Sequence, residues 1–171
     1  MPILHSVGLT DLDIENLENK YRISFPNDYK LFLRKYNGFY FVSPDYCEFD
    51  YDGVDEGIIA FDAFFGDGIE SEHYNLQAQN DSFLDEINFI KNSFIIGADP
   101  GGNFYILVTE GEHSGVYYWD RTHLHAEDEL QEYTIEEVEE CGNLYKVSDS
   151  FGDFFKAIFK FSEGVSFSPS L

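Results

Sequence analysis

Basic side chains are scarce in this sequence: Lys and Arg number 10 among 171 residues, against 33 Asp and Glu, for a formal net charge of −23. That shortage argues against nucleic acid as a direct ligand, because phosphate binding rests on Lys and Arg releasing counterions. It argues equally against an anionic membrane surface. Cysteine is as thin, with Cys47 and Cys141 isolated and outside any C-x-x-C motif. Such residues read as buried or idle thiols of a reducing compartment. No apolar run approaches the roughly 20 residues that span a bilayer. The opening Met1-Pro-Ile-Leu-His-Ser lacks the basic and long apolar segments of a secretory signal. The cytoplasm is the expected location.

Aromatic residues are abundant, with 18 Phe and 12 Tyr. Together with a 43% apolar content, they supply a core for one domain and exclude a disordered chain. Thr10 and Asp13 form an acidic variant of the capping box ahead of Ile14, Leu17 and Tyr21, which predicts a helix over residues 11–21. A second helix is expected over 26–37, opened by Pro26, striped by Tyr29, Phe32, Leu33 and Tyr36, and left through Asn37-Gly38. Short β-branched or aromatic runs then read as strands: Phe39 to Val42, Gly57 to Phe61, Phe94 to Ala98, Phe104 to Val108 and Val116 to Trp119. Residues 103–120 read as a hairpin. Residues 70–90 read ambiguously, with helix near Phe83 to Ile90. Ser150 and Asp153 cap a closing helix over 151–161 with an apolar face of Phe151, Phe154, Phe155, Ile158 and Phe159. The order implies an α+β fold: a mainly antiparallel sheet flanked by N-terminal helices and a C-terminal helix. One domain over 1–165 and a frayed tail over 166–171 are expected.

Three stretches together resemble the SUKH superfamily, which includes bacterial immunity proteins and a fungal cell-wall-assembly regulator. The first runs from Ile14 to Gly38 and carries Phe25-Pro26-Asn27-Asp28-Tyr29-Lys30, Phe32-Leu33 and Asn37-Gly38. The second joins Ile96-Gly97-Ala98-Asp99 through Gly102 to Val116-Tyr117-Tyr118-Trp119-Asp120-Arg121. The third is Asp149-Ser150-Phe151 to Phe155. Phe25 replaces the usual Leu, and Phe39 stands where a second glycine often follows Asn-Gly. The stretch from Asp45 to Glu56 has no counterpart among these motifs. The motif residues themselves read as scaffold, with Trp119 a core anchor. The resemblance implies a fold and a binding role, and no catalytic residue.

Asp50-x-Asp52-Gly53 starts like a calcium loop, but the fifth, sixth and twelfth positions are Val54, Asp55 and Phe61, so the pattern fails. His123-x-His125 with Asp120 lacks a defined third zinc ligand, and these histidines read as solvated. Gly97-Ala-Asp-Pro-Gly-Gly lacks the Gly-Lys-Ser/Thr ending of a phosphate loop and reads as a hairpin turn. No catalytic residue, metal or cofactor is expected.

Charge patterning carries the functional expectation. Between Lys35 and Lys91 there is no Lys or Arg, while aromatics interleave with acids. The expected partner-binding residues are Asp45, Tyr46, Glu48, Asp50, Tyr51, Asp52, Asp55, Glu56, Asp67, Glu70, Glu72 and Tyr74. Carboxylates would steer a basic partner, and Tyr46, Tyr51 or Tyr74 would anchor it. A second acidic run, from Glu127 to Glu140, is the internal comparison. The expected function is a non-catalytic immunity protein that neutralises a cognate cationic toxin domain, of nuclease type, as in a polymorphic toxin system. A regulatory protein-interaction scaffold and an enzyme assembled from dispersed residues stand as alternatives. A third alternative is that the acidity serves only solubility.

Overall fold

The computed structural model describes residues 3–42, 45–126, 131–162 and 167–169. In chain order the elements are β1 (Ile3–His5), α1 (Asp11–Tyr21), α2 (Asn27–Lys35), β2 (Phe39–Phe41), β3 (Cys47–Asp50), β4 (Ile58–Phe61), β5 (Ala63–Phe64), α3 (Leu76–Phe83), β6 (Ser93–Ala98), β7 (Phe104–Val108), β8 (Gly115–Asp120), β9 (Asn143–Ser148), α4 (Phe151–Phe159) and β10 (Phe167–Pro169). Short 3₁₀ turns flank α3 and follow α4. The α+β, largely antiparallel expectation holds.

Local chemistry sets the helix ends. Thr10 Oγ1 accepts the Asp13 N–H, and the Asp13 carboxylate accepts the Thr10 N–H in return. Pro26 is the N-cap of α2, with extended backbone, so this helix begins one residue later than the sequence indicates. Its exit runs through Asn37 and Gly38, both left-handed at φ 42° and 102°. Asn37 is buried and bonds both backbone groups of Asp67, whose neighbour Gly66 has no room for a Cβ against the Asn37 carbonyl. The Asn-Gly pair therefore locks α2 to the strand-exit turn after β5. Ser150 Oγ caps α4 by accepting the Asp153 N–H. Asp28, at the start of α2, accepts the Gly152 N–H in the first turn of α4 at 2.7 Å.

Eight strands form the main sheet in the order β10-β1-β2-β5-β6-β7-β8-β9, and β3 pairs with β4 in a separate two-stranded sheet. All pairs are antiparallel except β1 with β10. Alternation along β7 sorts the core into two halves. Tyr105 meets Phe49, Phe61, Tyr118 and Phe154, which places the β3–β4 hairpin and α4 on one face. Phe104 meets Phe65, Phe83 and Trp119 on the other. Trp119 is fully buried, and its indole N–H donates to the Cys141 carbonyl.

Strands β1, β3, β5, β9 and β10 and helix α3 are additions to the expected elements. Two-residue β5 is too short to carry a pattern. Its brevity also leaves the Ile95 backbone beyond its reach, beside a bulge between Ile95 and Gly97. The side chain of Asn80 on α3 takes over there, accepting the Ile95 N–H at 2.9 Å and donating to its carbonyl at 2.8 Å. An exposed-looking polar helix thus supplies a substitute strand partner. Backbone of the expected tail, at Phe167–Pro169, pairs with β1; residues 163–166, 170 and 171 lie outside the described residues.

Replacing Asn80 by Ala strands two buried backbone groups and should destabilise the chain by about 2–4 kcal/mol in denaturant melts. Asp52→Ala, on the exposed hairpin tip, should stay within about 0.5 kcal/mol.

Candidate functional site

The stretch from Asp45 to Glu56, without counterpart among the recognised motifs, builds most of an acidic hairpin that β4 completes. Cys47, Glu48, Phe49 and Asp50 alternate apolar and acidic, and in β3 the period of two turns Cys47 and Phe49 inward and Glu48 and Asp50 to solvent. Phe49 and Phe61 pack against Phe154 of α4 and Tyr105 of β7. Tyr105, fully buried, donates its hydroxyl to the Ala60 carbonyl at 2.5 Å and fixes β4 to the sheet. At the tip, Val54 is buried and the Gly53 carbonyl accepts the Glu132 N–H at 3.0 Å.

The hairpin gathers eight of the twelve expected binding residues. Glu48, Asp50, Asp52, Asp55 and Glu56 are exposed, with no ion-pair or side-chain hydrogen-bond partner among the described residues. Tyr46 is 43% exposed and Asp45 is half-buried. Tyr51 is half-buried: its ring folds over Gly53 and meets Tyr145 edge-on, and burial raises its pKa.

The other four expected residues form a separate group between β5 and α3. Glu70 and Glu72 are exposed. Asp67 is bonded through its backbone to Asn37 and accepts from Gln77 at 2.7 Å. Tyr74 stacks on Tyr40 with centroids 5.0 Å apart and donates to Asp62 at 3.3 Å. Burial raises the pKa of both Tyr74 and Asp62, while the hydrogen bond from Tyr74 draws that of Asp62 back down.

Beside the hairpin runs a groove of about 560 Å³, bounded by Glu48, Phe49 and Asp50 of β3, Val147 and Ser148 of β9, and Asp153, Phe154, Ala157, Lys160 and Phe161 of α4 and its terminal turn. Phe161 is 38% exposed there. The sequence marks Phe154 as core and gives Ala157 and Phe161 no role. Their spacing of three and four residues was the available signal, since it puts all three on one helical face.

Elsewhere, acids of the recognised motifs are committed to the fold. Asp99 accepts from the Gly101 and Asn103 N–H groups, the Asn103 side chain and the Tyr118 hydroxyl. Asp120 accepts the Leu124 and His125 N–H groups. The expected solvated histidines divide: His123 is exposed and 2.9 Å from Glu137, whereas His125 is buried, because the turn capped by Asp120 folds it inward against Tyr118 and Tyr145. Among the described residues no three His, Cys, Asp or Glu side chains converge as a cation site. Burial pushes the Cys47 thiol up to about 12. No helix of the described residues is long and apolar enough to cross a membrane.

In the second acidic run, Glu127, Asp128 and Glu129 lie outside the described residues. Glu139 and Glu140 border a 360 Å³ hollow with Asp85, Glu86, Phe89 and Val138, and Arg121 neutralises Glu86. Unlike the hairpin, this cluster includes paired acids.

The model of a protein family described as SMI1 / KNR4 family (SUKH-1) matches residues 8–157, a span that contains α1, α2, the hairpin and nearly all of α4. No curated protein matches the chain. With its thiol raised to about 12 and enclosed, Cys47 should resist iodoacetamide at pH 8 in the native chain and react once denaturant opens the core. Native-state alkylation at Cys47, located by peptide mass, would contradict the placement.

Proposed function

The chain belongs to the SMI1/KNR4 family (SUKH-1), and from that membership we propose that it is an immunity protein. It binds a cognate toxin domain tightly and one to one, and it neutralises that domain without catalysis. The observation that carries this reading is the hairpin's set of five exposed carboxylates, none paired with a cation. Acids held at one projecting element repel one another, and a basic partner relieves that repulsion. A nuclease toxin presents such a surface, because its substrate-binding groove must attract phosphate. Tyr46, half in solvent beside the acids, supplies an apolar anchor.

Non-catalytic action is favoured by how the remaining polar groups are used. Asp28, Asp99 and Asp120 accept backbone N–H groups, and the Cys47 thiol stays protonated at neutral pH. Both cysteines are free, which suits action in the cytoplasm of the producing cell.

Co-expression with the product of the adjacent reading frame should rescue cells from the growth arrest that product causes. Against that product, replacing Asp50, Asp52, Asp55 and Glu56 by their amides should slow association at least about tenfold at low salt. The loss should shrink as salt shortens the Debye length toward about 8 Å at physiological strength. Tyr46→Ala should instead speed dissociation. Amide replacements at Glu132, Glu136, Glu139 and Glu140 are the comparison. Loss of binding there alone, or association indifferent to salt, would reject the face and the electrostatics respectively.

A further inference from the structure

We infer that the free edge of β3 is a docking site for an extended, cationic segment of the partner, which adds to the hairpin as a third strand. This rests on the reading above that the partner is a basic protein. Hydrogen-bond phase in the hairpin decides which groups are available. The Tyr51 N–H donates to the Gly57 carbonyl at 2.7 Å, so the alternate pairs Phe49–Ile59 and Cys47–Phe61 also bond inward. Glu48 and Asp50 therefore turn their N–H and C=O groups away from β4. Neither meets a backbone or side-chain partner among the described residues.

Opposite edges are treated differently. On β4 the outward carbonyl of Ala60 is taken by Tyr105. On β9 the outer edge is met by Thr134 and Ile135: the Leu144 carbonyl accepts both their N–H groups, and the Thr134 hydroxyl accepts the Lys146 N–H. Of these three, β3 is the one on which no outward group meets a partner among the described residues, whereas β4 has its Ala60 carbonyl tied down and β9 is bonded along its edge. The open edge faces the groove floored by Phe49, Phe154, Ala157 and Phe161. An added strand would send alternate side chains onto that floor and its backbone onto Glu48 and Asp50.

Charge selects the occupant. Glu48 and Asp50 stand unpaired on the edge itself; on the far rim Asp153 is already paired with Lys156, and Lys160 is the one cation among the lining residues. A second copy of this chain would bring another net charge of −23 to the same place. Its own terminal strand is elsewhere, on β1. Edge carboxylates commonly guard a strand against self-pairing. Here the same carboxylates repel copies and admit a basic strand.

The test uses the full chain and a nine-residue peptide of alternating Lys and Val, followed by fluorescence anisotropy. A copy of the peptide N-methylated at every second residue keeps charge and side chains but loses strand hydrogen bonding. Strand addition predicts that methylation weakens binding at least about tenfold. It also predicts that Asp50→Pro, which removes one outward N–H along with the charge, weakens the unmethylated peptide beyond Asp50→Asn, which removes the charge alone, while the two variants bind the methylated peptide equally. Phe161→Ser should weaken it too. Equal binding of both peptides, with salt dependence retained, would overturn strand addition and leave the electrostatic reading standing. Salt-independent binding of both would sink that reading itself. A dimer of the free chain that Asp50→Pro dissolves would assign the edge to a second copy and likewise overturn the inference.

Discussion

One buried hydroxyl decides how the surface of this protein is laid out. Tyr105 lies in the middle of the sheet, encased by Phe61, Tyr118 and Phe154, and hydrogen-bonds the Ala60 carbonyl. A buried tyrosine needs such a partner, and an outward strand carbonyl needs a donor. By joining the two, the structure welds β4 to the core and turns β3 outward. Everything acidic on β3 and at the tip then projects from a rigid base. Residues that project without moving lose little entropy when a partner arrives, which favours tight association.

Two groups of acids among the described residues differ in their chemistry. Those in the recognised motifs are acceptors for backbone N–H groups: Asp28 ties the start of α2 to that of α4, Asp99 organises the β6–β7 turn, and Asp120 folds the chain after β8. They stabilise the fold as charge-assisted hydrogen-bond acceptors. Acids of the hairpin accept nothing and are paired with nothing among the described residues. Five of them lie close together on one hairpin, where a basic partner would relieve their mutual repulsion.

Much of this was legible in the amino-acid order. Capping pairs at Thr10 and Ser150 located α1 and α4, because those side chains do in the fold what their spacing implies. β7 was read to the residue, as a run of Phe, Tyr, Ile, Leu and Val closed by turn residues. α3 was not, since its face toward the sheet is carried by Asn80, a polar residue whose strand partner Ile95 lies fifteen residues away. β3 escaped because its alternation is masked by acids, although the period of two is plain in Cys47 to Asp50. Of the expected binding residues, the eight on the hairpin were adjacent in sequence and stay adjacent in space. The groove beside them needed α4 and β9 to be brought together, and no local pattern reports that. Tyr51 and Tyr74 were read as free anchors, yet both rings are held by other tyrosines, a consequence of register and stacking invisible before folding.

The central claim is that the hairpin face receives the partner, and hydrogen–deuterium exchange tests it most directly. Exchange would be followed on the full chain, alone and bound to the product of the adjacent reading frame whose toxicity it relieves. The account predicts slowed exchange over residues 45–58, strongest at the amides of Glu48 and Asp50, with little change over 132–141. Protection confined to 132–141 and the turn bearing Phe89, with the hairpin amides exchanging as in the free chain, would contradict it.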